Sequence, residues 1–272
     1  MRYVSFRRPD GTSRYGRIEG KQVFELGASL RDALVQGGLG SSGDGQTYQL
    51  DDVELLPPIP DPGKILCIGL NYATHLSEMG NKRPDYPTVF TRFRNTLVAD
   101  GGPLVKPSNS ERFDYEGELA VVIGRSARHV RREQAMDYVA GLSVFNDASV
   151  RDWQRHTSQF TPGKNFPSSG GFGPALVTPD EIGDLAAMRV QTRLNGELMQ
   201  DQPISDMLWP VAELIEYLSS FTELAPGDVI VTGTPGGVGD ARTPPIYMKA
   251  GDVVEVSIGS IGRLRNPVID EA

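Results

Sequence analysis

Strand-like segments dominate this 272-residue chain, and helical ones are few. Beyond residue 60, the segments typical of strands are KILCIGL, GELAVVIG, LSVFND, GPALVT, AAMRVQTRLNG, DVIVTG and DVVEVSI, whereas only REQAMDYVAGL and PVAELIEYLSSF have helical spacing. Because strands and helices do not alternate regularly, a doubly wound parallel sheet is not expected. With 31 glycines and 20 prolines available for tight turns, the sequence predicts a β-rich α+β fold.

The first 60 residues differ from the remainder. MRYVSFRRPDG, SRYGRIEG and KQVFELG are β-prone pieces, and the short helical pattern SLRDALVQG precedes a glycine- and serine-rich segment at 37–46. The proline-rich LLPPIPDPG, at 55–63, then indicates a stiff linker. The sequence therefore predicts a small N-terminal domain and linker over 1–60, with a mobile loop, and a larger domain over 61–272.

Composition narrows the class of partner. The single cysteine, Cys67, cannot form an internal disulfide, and neither a secretion signal nor an apolar run of ~20 residues is recognisable. We therefore expect a soluble, cytoplasmic protein. A net charge of -8 and a pI near 5.0 argue against a nucleic-acid or anionic-membrane surface, which needs excess Lys and Arg. A small-molecule partner is expected instead.

The segment DYEGELAVVIG, at 114–124, places two glutamates at the start of an apolar strand. Alternate side chains of an extended chain share a face, so Glu116 and Glu118 point the same way, roughly 7 Å apart. LSVFND brings another apolar strand to its end at Asp147. Three carboxylates meeting there would form an all-oxygen site for Mg²⁺ or Mn²⁺, whose charge would cancel their repulsion. Spacing alone is equally consistent with a solvated strand face and a turn aspartate.

Three further segments carry candidate catalytic groups. In GLNYATHLSEMG, His75 and Glu78 are three residues apart, so on a helical turn the carboxylate could orient the imidazole as a base, although a surface pair has the same spacing. The loop VTGTPGGVG lacks the Gly-Lys-Ser/Thr of a phosphate loop; its amides and the Thr234 hydroxyl could approach an oxyanion, or it could be a plain turn. Lys164, in TPGKNFP, is either a fixed cation near substrate or a loop charge.

Taken in order, these segments resemble the fumarylacetoacetate hydrolase (FAH) family. The matching run covers roughly residues 64–268 and comprises CIGLNYATHLSE, FDYEGELAVVIG, YVAGLSVFNDASVRDWQ, GKNF, GPALVTPDEI, LNGELMQ, LSSFTELAPGDVIVTGTPGGVG and KAGDVVEVSIGSIGRLRNPV. The resemblance implies a catalytic domain of mixed sheets rolled around a divalent metal site, usually assembled as a homodimer. By position, it implies Glu116, Glu118 and Asp147 as metal ligands and His75 with Glu78 as a water-activating dyad on a lid.

The resemblance also implies substrate contacts. Lys164, Gln154 and Thr234 fall where family members hold substrate or stabilise developing negative charge. We add Arg92 as a substrate-binding candidate, because it lies in VFTRFRN, where many members have lysine and proline. Many members also have aspartate where this chain has Pro167. Both departures border the substrate, so they bear on specificity and not on the metal site.

The expected activity is hydrolysis of a carbon-carbon bond in a 2,4-dioxo, acylpyruvate-type acid. The metal would act as a Lewis acid, and His75 assisted by Glu78 would activate water. Lys164 and Thr234 would stabilise negative charge. Decarboxylation of oxaloacetate, or isomerisation or hydration of an unsaturated 2-oxo diacid, stays open because the same centre serves all these reactions. A catalytically silent, metal-stabilised binding protein is the alternative from another class.

Overall fold

The computed structural model describes residues 1–40, 45–78 and 82–272, and all their side chains except those of His75 and Ser77. Parts of the predicted mobile loop at 37–46 and of the predicted lid at 71–84 therefore lie outside the described residues. The helices are α1 (Leu30–Val35), α2 (Ala73–Glu78), α3 (Arg151–Gln154), α4 (Thr161–Lys164) and α5 (Val211–Phe221). Within this part of the chain, no helix combines the length and apolar character needed to cross a membrane.

The described strands number 19 and account for most of the regular structure. They are β1 (Arg2–Arg7), β2 (Ser13–Glu19), β3 (Gln22–Gly27), β4 (Thr47–Gln49), β5 (Glu54–Leu56), β6 (Ile65–Gly69), β7 (Thr88–Arg92), β8 (Leu97–Val98), β9 (Leu104–Lys106), β10 (Phe113–Asp114), β11 (Gly117–Ile123), β12 (Val139–Asn146), β13 (Ser149–Val150), β14 (Gly170–Val177), β15 (Arg189–Leu194), β16 (Glu197–Pro203), β17 (Val229–Val231), β18 (Val253–Ile258) and β19 (Gly262–Asp270).

These strands form two large sheets and one short pair. The larger sheet runs β4-β3-β2-β1-β14-β12-β11-β17-β6-β7, with β5 added on β1 and β8 on β14, and the smaller runs β16-β15-β18-β19-β9. Parallel pairs, such as β6 with β17 and β9 with β19, lie beside antiparallel ones, so both sheets are mixed. The prediction of a β-rich α+β fold with mixed sheets is confirmed.

The N-terminal strands extend the larger sheet of the main body. β1 pairs with β14, with Tyr3 opposite Leu176, and β5 at the start of the proline-rich segment returns to pair with β1. The small N-terminal region is thus joined to the rest of the protein by backbone hydrogen bonds as well as by the chain. The division at residue 60 stays a prediction.

The strand that carries the two glutamates lies at the centre of the core. Every residue of β11 is buried, and its two faces contribute to two different apolar clusters. Leu119 and Val121 pack in the cluster that also contains Leu214 of α5, while Ala120 and Val122 pack on the opposite face. Burying apolar surface on both faces fixes the register of β11, because a one-residue slip would exchange the faces.

One predicted helix is partly wrong. In REQAMDYVAGL, Arg132–Tyr138 forms a 3₁₀ helix, and Val139 already begins β12. β12 pairs along its length with β11 on one side and contacts β14 on the other. The helical spacing was local, whereas the buried pairing of β12 is long-range and overrides local preference.

Candidate metal centre

Glu116, Glu118 and Asp147 meet where β11 begins and β12 ends. The two strands are antiparallel, with Gly117 opposite Asn146. The Asp147 N–H donates to the Glu116 carbonyl at 2.8 Å, and the Glu116 N–H donates to Asn146 Oδ1 at 3.0 Å. One carboxylate oxygen from each of the three acidic residues lies within 4.8 Å of the others, and all three residues are buried. Strand pairing therefore assembles the three predicted ligands.

The glycine between the two glutamates is required by the second sheet. A Cβ on Gly117 would lie 2.2 Å from Thr192 Oγ1 and 2.9 Å from Val256, which belong to β15 and β18. The Gly117 N–H donates to Gln200 Oε1 at 2.9 Å, and its carbonyl accepts from the Thr234 hydroxyl at 3.0 Å. The sheets thus pack against the backbone of Gly117, and both glutamates face the opposite side.

Buried cations surround the carboxylates. Lys164 Nζ donates to Glu116 Oε2 at 2.6 Å and to Asp147 Oδ2 at 2.5 Å. Arg92 donates to the other oxygen of Asp147, Oδ1, and to the Ala148 carbonyl. Burial alone would lower the pKa of Lys164, but Asp147 and Glu116 outweigh it, so the pKa is raised and the ammonium stays charged.

Glu118 is the least compensated of the three carboxylates. It is 1% exposed and accepts a hydrogen bond from the backbone N–H of Gly233, and within the described residues no Lys or Arg side chain bonds to it. Burial, followed by the nearby charges of Asp147 and Glu116, raises its pKa well above the usual range. A divalent cation would relieve this repulsion, so the oxygen-only donor set fits Mg²⁺ or Mn²⁺.

Arg151 was not among the predicted site residues. Its guanidinium lies 2.6 Å from Glu116 Oε1 and donates to Gln154 Oε1 at 3.0 Å and to Asp114 Oδ2 at 2.8 Å. Asp114 is fully buried and also accepts from the backbone N–H groups of Tyr115 and Gly239. Asp114 therefore holds Arg151, and Arg151 holds both Glu116, a candidate metal ligand, and Gln154. The sequence signal was the spacing of Arg151 and Gln154 in VRDWQ, which places both on one helical face.

Two residues of the triad, Glu116 and Glu118, line a cavity of about 360 Å³, and Asp147 is joined to its wall through Lys164. Its polar lining includes Glu116, Glu118, Arg151, Gln154, Arg155, Lys164 and Thr234, and its apolar lining includes Ile68, Leu70, Phe90 and Phe160. Lys164 Nζ also lies 5.1 Å from the centre of the Phe90 ring, close enough for a cation-π interaction. The cavity thus combines a charged wall with an apolar one, as small-molecule sites generally do.

The loop at 231–239 completes one side of the cavity. The Thr234 hydroxyl accepts from Gln200 Nε2 at 2.9 Å, besides donating to Gly117, so Gln200 ties the loop to β11. Gly237 has φ +96°, and a Cβ there would lie 2.2 Å from the Met199 carbonyl oxygen. The glycines of this loop therefore permit close backbone packing, and Gln200 is a second residue that sequence reasoning missed.

Helix α2 rests on this loop. The Gly237 N–H donates to both carboxylate oxygens of Glu78, at 3.1 and 3.0 Å, and the Gly236 N–H donates to the Thr74 hydroxyl at 3.5 Å. The backbone of His75 belongs to α2, but its side chain lies outside the described residues. The structure thus brings Glu78 to the edge of the loop that lines the cavity, and the His75–Glu78 dyad stays a prediction.

Arg92 occupies a different place from the one expected of a substrate contact. It is 3% exposed, and besides Asp147 and Ala148 it donates to the Ser169 hydroxyl at 3.2 Å. Among the residues the structure describes, Arg92 does not line the cavity. Arg92 bonds to one oxygen of the Asp147 carboxylate from outside the cavity lining, while Lys164, which lines the cavity, bonds to the other. Gln154, Thr234 and Lys164 do line the cavity, as their predicted roles require.

A strand-rich body with a buried carboxylate triad beside a small-molecule cavity defines the class as a small-molecule enzyme with a candidate divalent-metal centre. Residues 64–269 match the family described as fumarylacetoacetate (FAA) hydrolase C-terminal, and residues 1–58 match the one described as Rv2993c-like, N-terminal. The chain therefore belongs to the fumarylacetoacetate hydrolase family and is an enzyme of that family.

Three named proteins are similar to this chain in sequence or in structure. It is 43% identical to oxaloacetate tautomerase YisK of Bacillus subtilis over 226 residues, which is 81% of this chain and 75% of the relative. Its structure is similar to fumarylacetoacetate hydrolase from Exiguobacterium antarcticum, with TM-score 0.90, 36% identity and 100% of both chains covered. It is also similar to 2-hydroxyhepta-2,4-diene-1,7-dioate isomerase from Mycobacterium marinum, with TM-score 0.85, 32% identity and coverage of 100% and 99%.

Proposed function

We propose that this protein is a divalent-metal-dependent tautomerase of oxaloacetate or a closely related 2-oxo diacid. The observation that carries the proposal is the buried contact of Lys164 with Glu116 and Asp147 in the wall of the cavity. The names of two relatives, a tautomerase and an isomerase, support it because both denote rearrangements in which the substrate is not split. Tautomerisation was not among the activities expected from the sequence, although it uses the same centre as the decarboxylation and isomerisation alternatives; we place it ahead of hydrolysis.

The metal would be held by Glu116, Glu118 and Asp147, and it would supply Lewis acidity that polarises the 2-oxo group. Mg²⁺ and Mn²⁺ suit this donor set equally. In the keto-to-enol direction, a C–H bond at C3 breaks and an O–H bond forms at the oxygen on C2, so no atom or electron is gained overall. The protein must therefore move a proton and stabilise negative charge on that oxygen.

Lys164 is suited to stabilise the charge. Its ammonium is 1% exposed, stays protonated and lines the cavity, so its positive charge is in place before the reaction begins. Gln154 and Thr234 would orient the substrate from the same cavity. In this proposal His75 moves the C3 proton, assisted by Glu78; that assignment rests on their spacing in α2 and on the contact of Glu78 with Gly237.

A second candidate is hydrolysis of an acylpyruvate, the activity expected first from the sequence. The contact of α2 with the loop at 231–239 supports it, because that loop carries Thr234 of the cavity lining and α2 carries a histidine and a carboxylate. His75 would then remove a proton from water, which attacks the distal carbonyl of the substrate. Oxaloacetate decarboxylation, and isomerisation or hydration of an unsaturated 2-oxo diacid, use the same charged wall and belong in the same assay panel.

The test compares substrates on one preparation of the protein. Oxaloacetate enol, an acylpyruvate and an unsaturated 2-oxo diacid are followed spectrophotometrically with Mg²⁺, with Mn²⁺ and with EDTA. We expect enol-to-keto conversion to exceed the rate in buffer and metal alone, and EDTA to abolish the excess. Lys164→Met should lower the rate by about 10²- to 10³-fold, whereas the exposed Lys249→Met should not. Acylpyruvate cleavage outpacing tautomerisation would make the protein a hydrolase instead.

We also propose that the protein acts as a cytoplasmic homodimer, as expected from the sequence and the family resemblance. Light scattering of the purified protein at several concentrations tests the assembly. A mass of one chain, 29.6 kDa, at all concentrations would contradict it.

A further inference from the structure

Arg155 lies at the open end of the charged wall. It directly follows α3 and is four residues beyond Arg151, so the two arginines lie on the same side of one helical turn. Both line the cavity, and Arg151 contacts the ligand carboxylate of Glu116. The Arg155 side chain is 46% exposed, whereas that of Arg151 is 4% exposed. The guanidinium of Arg151 therefore lies at the buried end of the charged wall, and that of Arg155 lies at its exposed end.

The charge of Arg155 is only partly compensated. Its guanidinium donates to Asp240 Oδ2, but Asp240 Oδ1 also accepts from Arg112 at 2.8 Å and from the Tyr247 hydroxyl at 2.6 Å. Two guanidinium groups thus share one carboxylate, which leaves positive charge at the cavity mouth. Asp240 is almost fully buried, so it also fixes the direction of the Arg155 side chain.

Among the described lining residues, the other two cations are already used by the triad. Lys164 bonds to Glu116 and Asp147, and Arg151 bonds to Glu116 and Asp114. Arg155 makes no such contact, and its half-exposed side chain lines the cavity one helical turn beyond Arg151. It is therefore the cation available to a second negative group on the substrate.

We infer that Arg155 binds the distal carboxylate of a 2-oxo dicarboxylic acid and makes the site prefer diacids to monoacids. This inference rests on the proposed function, because it assumes that the 2-oxo acid end is bound at the triad. One helical turn rises about 5.4 Å, which is the scale of a four-carbon diacid. A planar guanidinium held by Asp240 can present its remaining N–H groups to a carboxylate.

The apolar wall explains why a single cation can decide the preference. Ile68, Leu70, Phe90 and Phe160 also line the cavity, where an apolar acyl chain would be equally well accommodated. Phe90 and Phe160 pack edge to face with their ring centres 5.6 Å apart, which keeps that wall in place. The wall therefore does not itself select a diacid, and the selection falls to Arg155.

The test uses malate and lactate, stable 2-hydroxy acids that differ in the distal carboxylate. Both are titrated calorimetrically into the Mn²⁺-loaded protein. We expect the parent to bind malate about 10-fold more tightly than lactate, the contribution of one charge-assisted hydrogen bond. Arg155→Met should bring the two affinities together by weakening malate binding, and Arg155→Lys should give an intermediate ratio because it keeps the charge but loses the fork.

The matched control is Arg263→Met, which removes an exposed arginine paired with Glu255 on β18 and should leave the malate-to-lactate ratio unchanged. Thermal unfolding confirms that each variant is folded. A ratio that persists in Arg155→Met, or a parent that binds the two acids equally, would overturn the inference while the proposed function stands. A loaded parent that binds neither acid would instead count against the proposed function itself.

Discussion

The carboxylate triad and helix α2 differ in how they are held in the structure. Glu116, Glu118 and Asp147 lie at strand ends, are almost fully buried and are surrounded by the buried cations Lys164 and Arg92. Helix α2 is six residues long, and its described contacts with the loop are made by Thr74 and by the exposed Glu78.

The difference lies in what each region loses when it moves. Displacing a residue of the triad leaves a buried charge without its partner, and breaking such a pair typically costs about 3–5 kcal/mol. Releasing α2 exchanges the hydrogen bonds of Glu78 and Thr74 for bonds to water, at about 1 kcal/mol each, and exposes one large apolar side chain, Leu76. We therefore expect the triad to be preformed and α2 to be the part that responds to substrate.

The largest expected effect is from Glu118→Gln. This change keeps the shape of the side chain but removes the charge of the least compensated carboxylate, so Mn²⁺ affinity should fall more than about 100-fold and activity should be lost. Calorimetric titration with Mn²⁺ measures it, and Glu197→Gln, at an exposed position on β16, is the control. Unchanged Mn²⁺ binding by the Glu118 variant would remove Glu118 from the metal site.

His75→Ala tests the helix side of the comparison. If His75 is the proton-transfer group, turnover should fall about 10²- to 10⁴-fold, the usual contribution of a general base. Mn²⁺ affinity should barely change, because the proposed ligands lie at the start of β11 and just beyond the end of β12, outside α2. Steady-state rates and metal titration on the same sample separate the two effects. Parent-like turnover would exclude His75 from proton transfer.

Arg92→Met tests whether the triad is held by paired charges. Without the guanidinium, Asp147 loses a buried partner, so the free energy of unfolding of the metal-free protein should fall by about 3–5 kcal/mol. Adding Mn²⁺ should recover part of the loss, because it supplies another positive charge. Urea unfolding with and without Mn²⁺ measures this. The exposed pair of Arg7 and Glu54 gives the control, Arg7→Met, which should change stability by no more than about 1 kcal/mol.

The smallest expected effect is from Glu78→Ala. Gly237 would lose its acceptor, and the apparent KM should rise about 3- to 10-fold with little change in metal affinity. Hydrogen exchange across 71–78 should also be faster than in the parent and should slow when oxalate and Mn²⁺ are added together. Equal protection in the parent with and without these ligands would mean that the segment does not close over substrate.

Local patterns in the sequence predicted much of the fold. Apolar runs located the central strands, and the lack of regular alternation with helices excluded a doubly wound sheet. The failure at Val139 has a clear cause: VAGL continues a helical spacing locally, but β12 pairs with β11, which lies earlier in the chain, before the connection that contains the 3₁₀ helix. Local spacing cannot report which distant segment will supply hydrogen bonds.

The sequence by itself determined which residue types the candidate site would need. Alternation in an extended chain put Glu116 and Glu118 on one face, and the order of the motifs added Asp147, Lys164, Gln154 and Thr234. These inferences depend on local geometry and on resemblance, both of which can be obtained from the order of residues.

Only the tertiary structure determined which partners the buried polar side chains of the site bond to. Arg92 lies behind Asp147 instead of along the cavity, Asp114 holds Arg151, and Gln200 ties the loop at 231–239 to Gly117. Each contact joins residues that are between 37 and 83 positions apart in the chain. Buried polar groups must find partners, but which partner lies within reach is decided by how the two sheets pack.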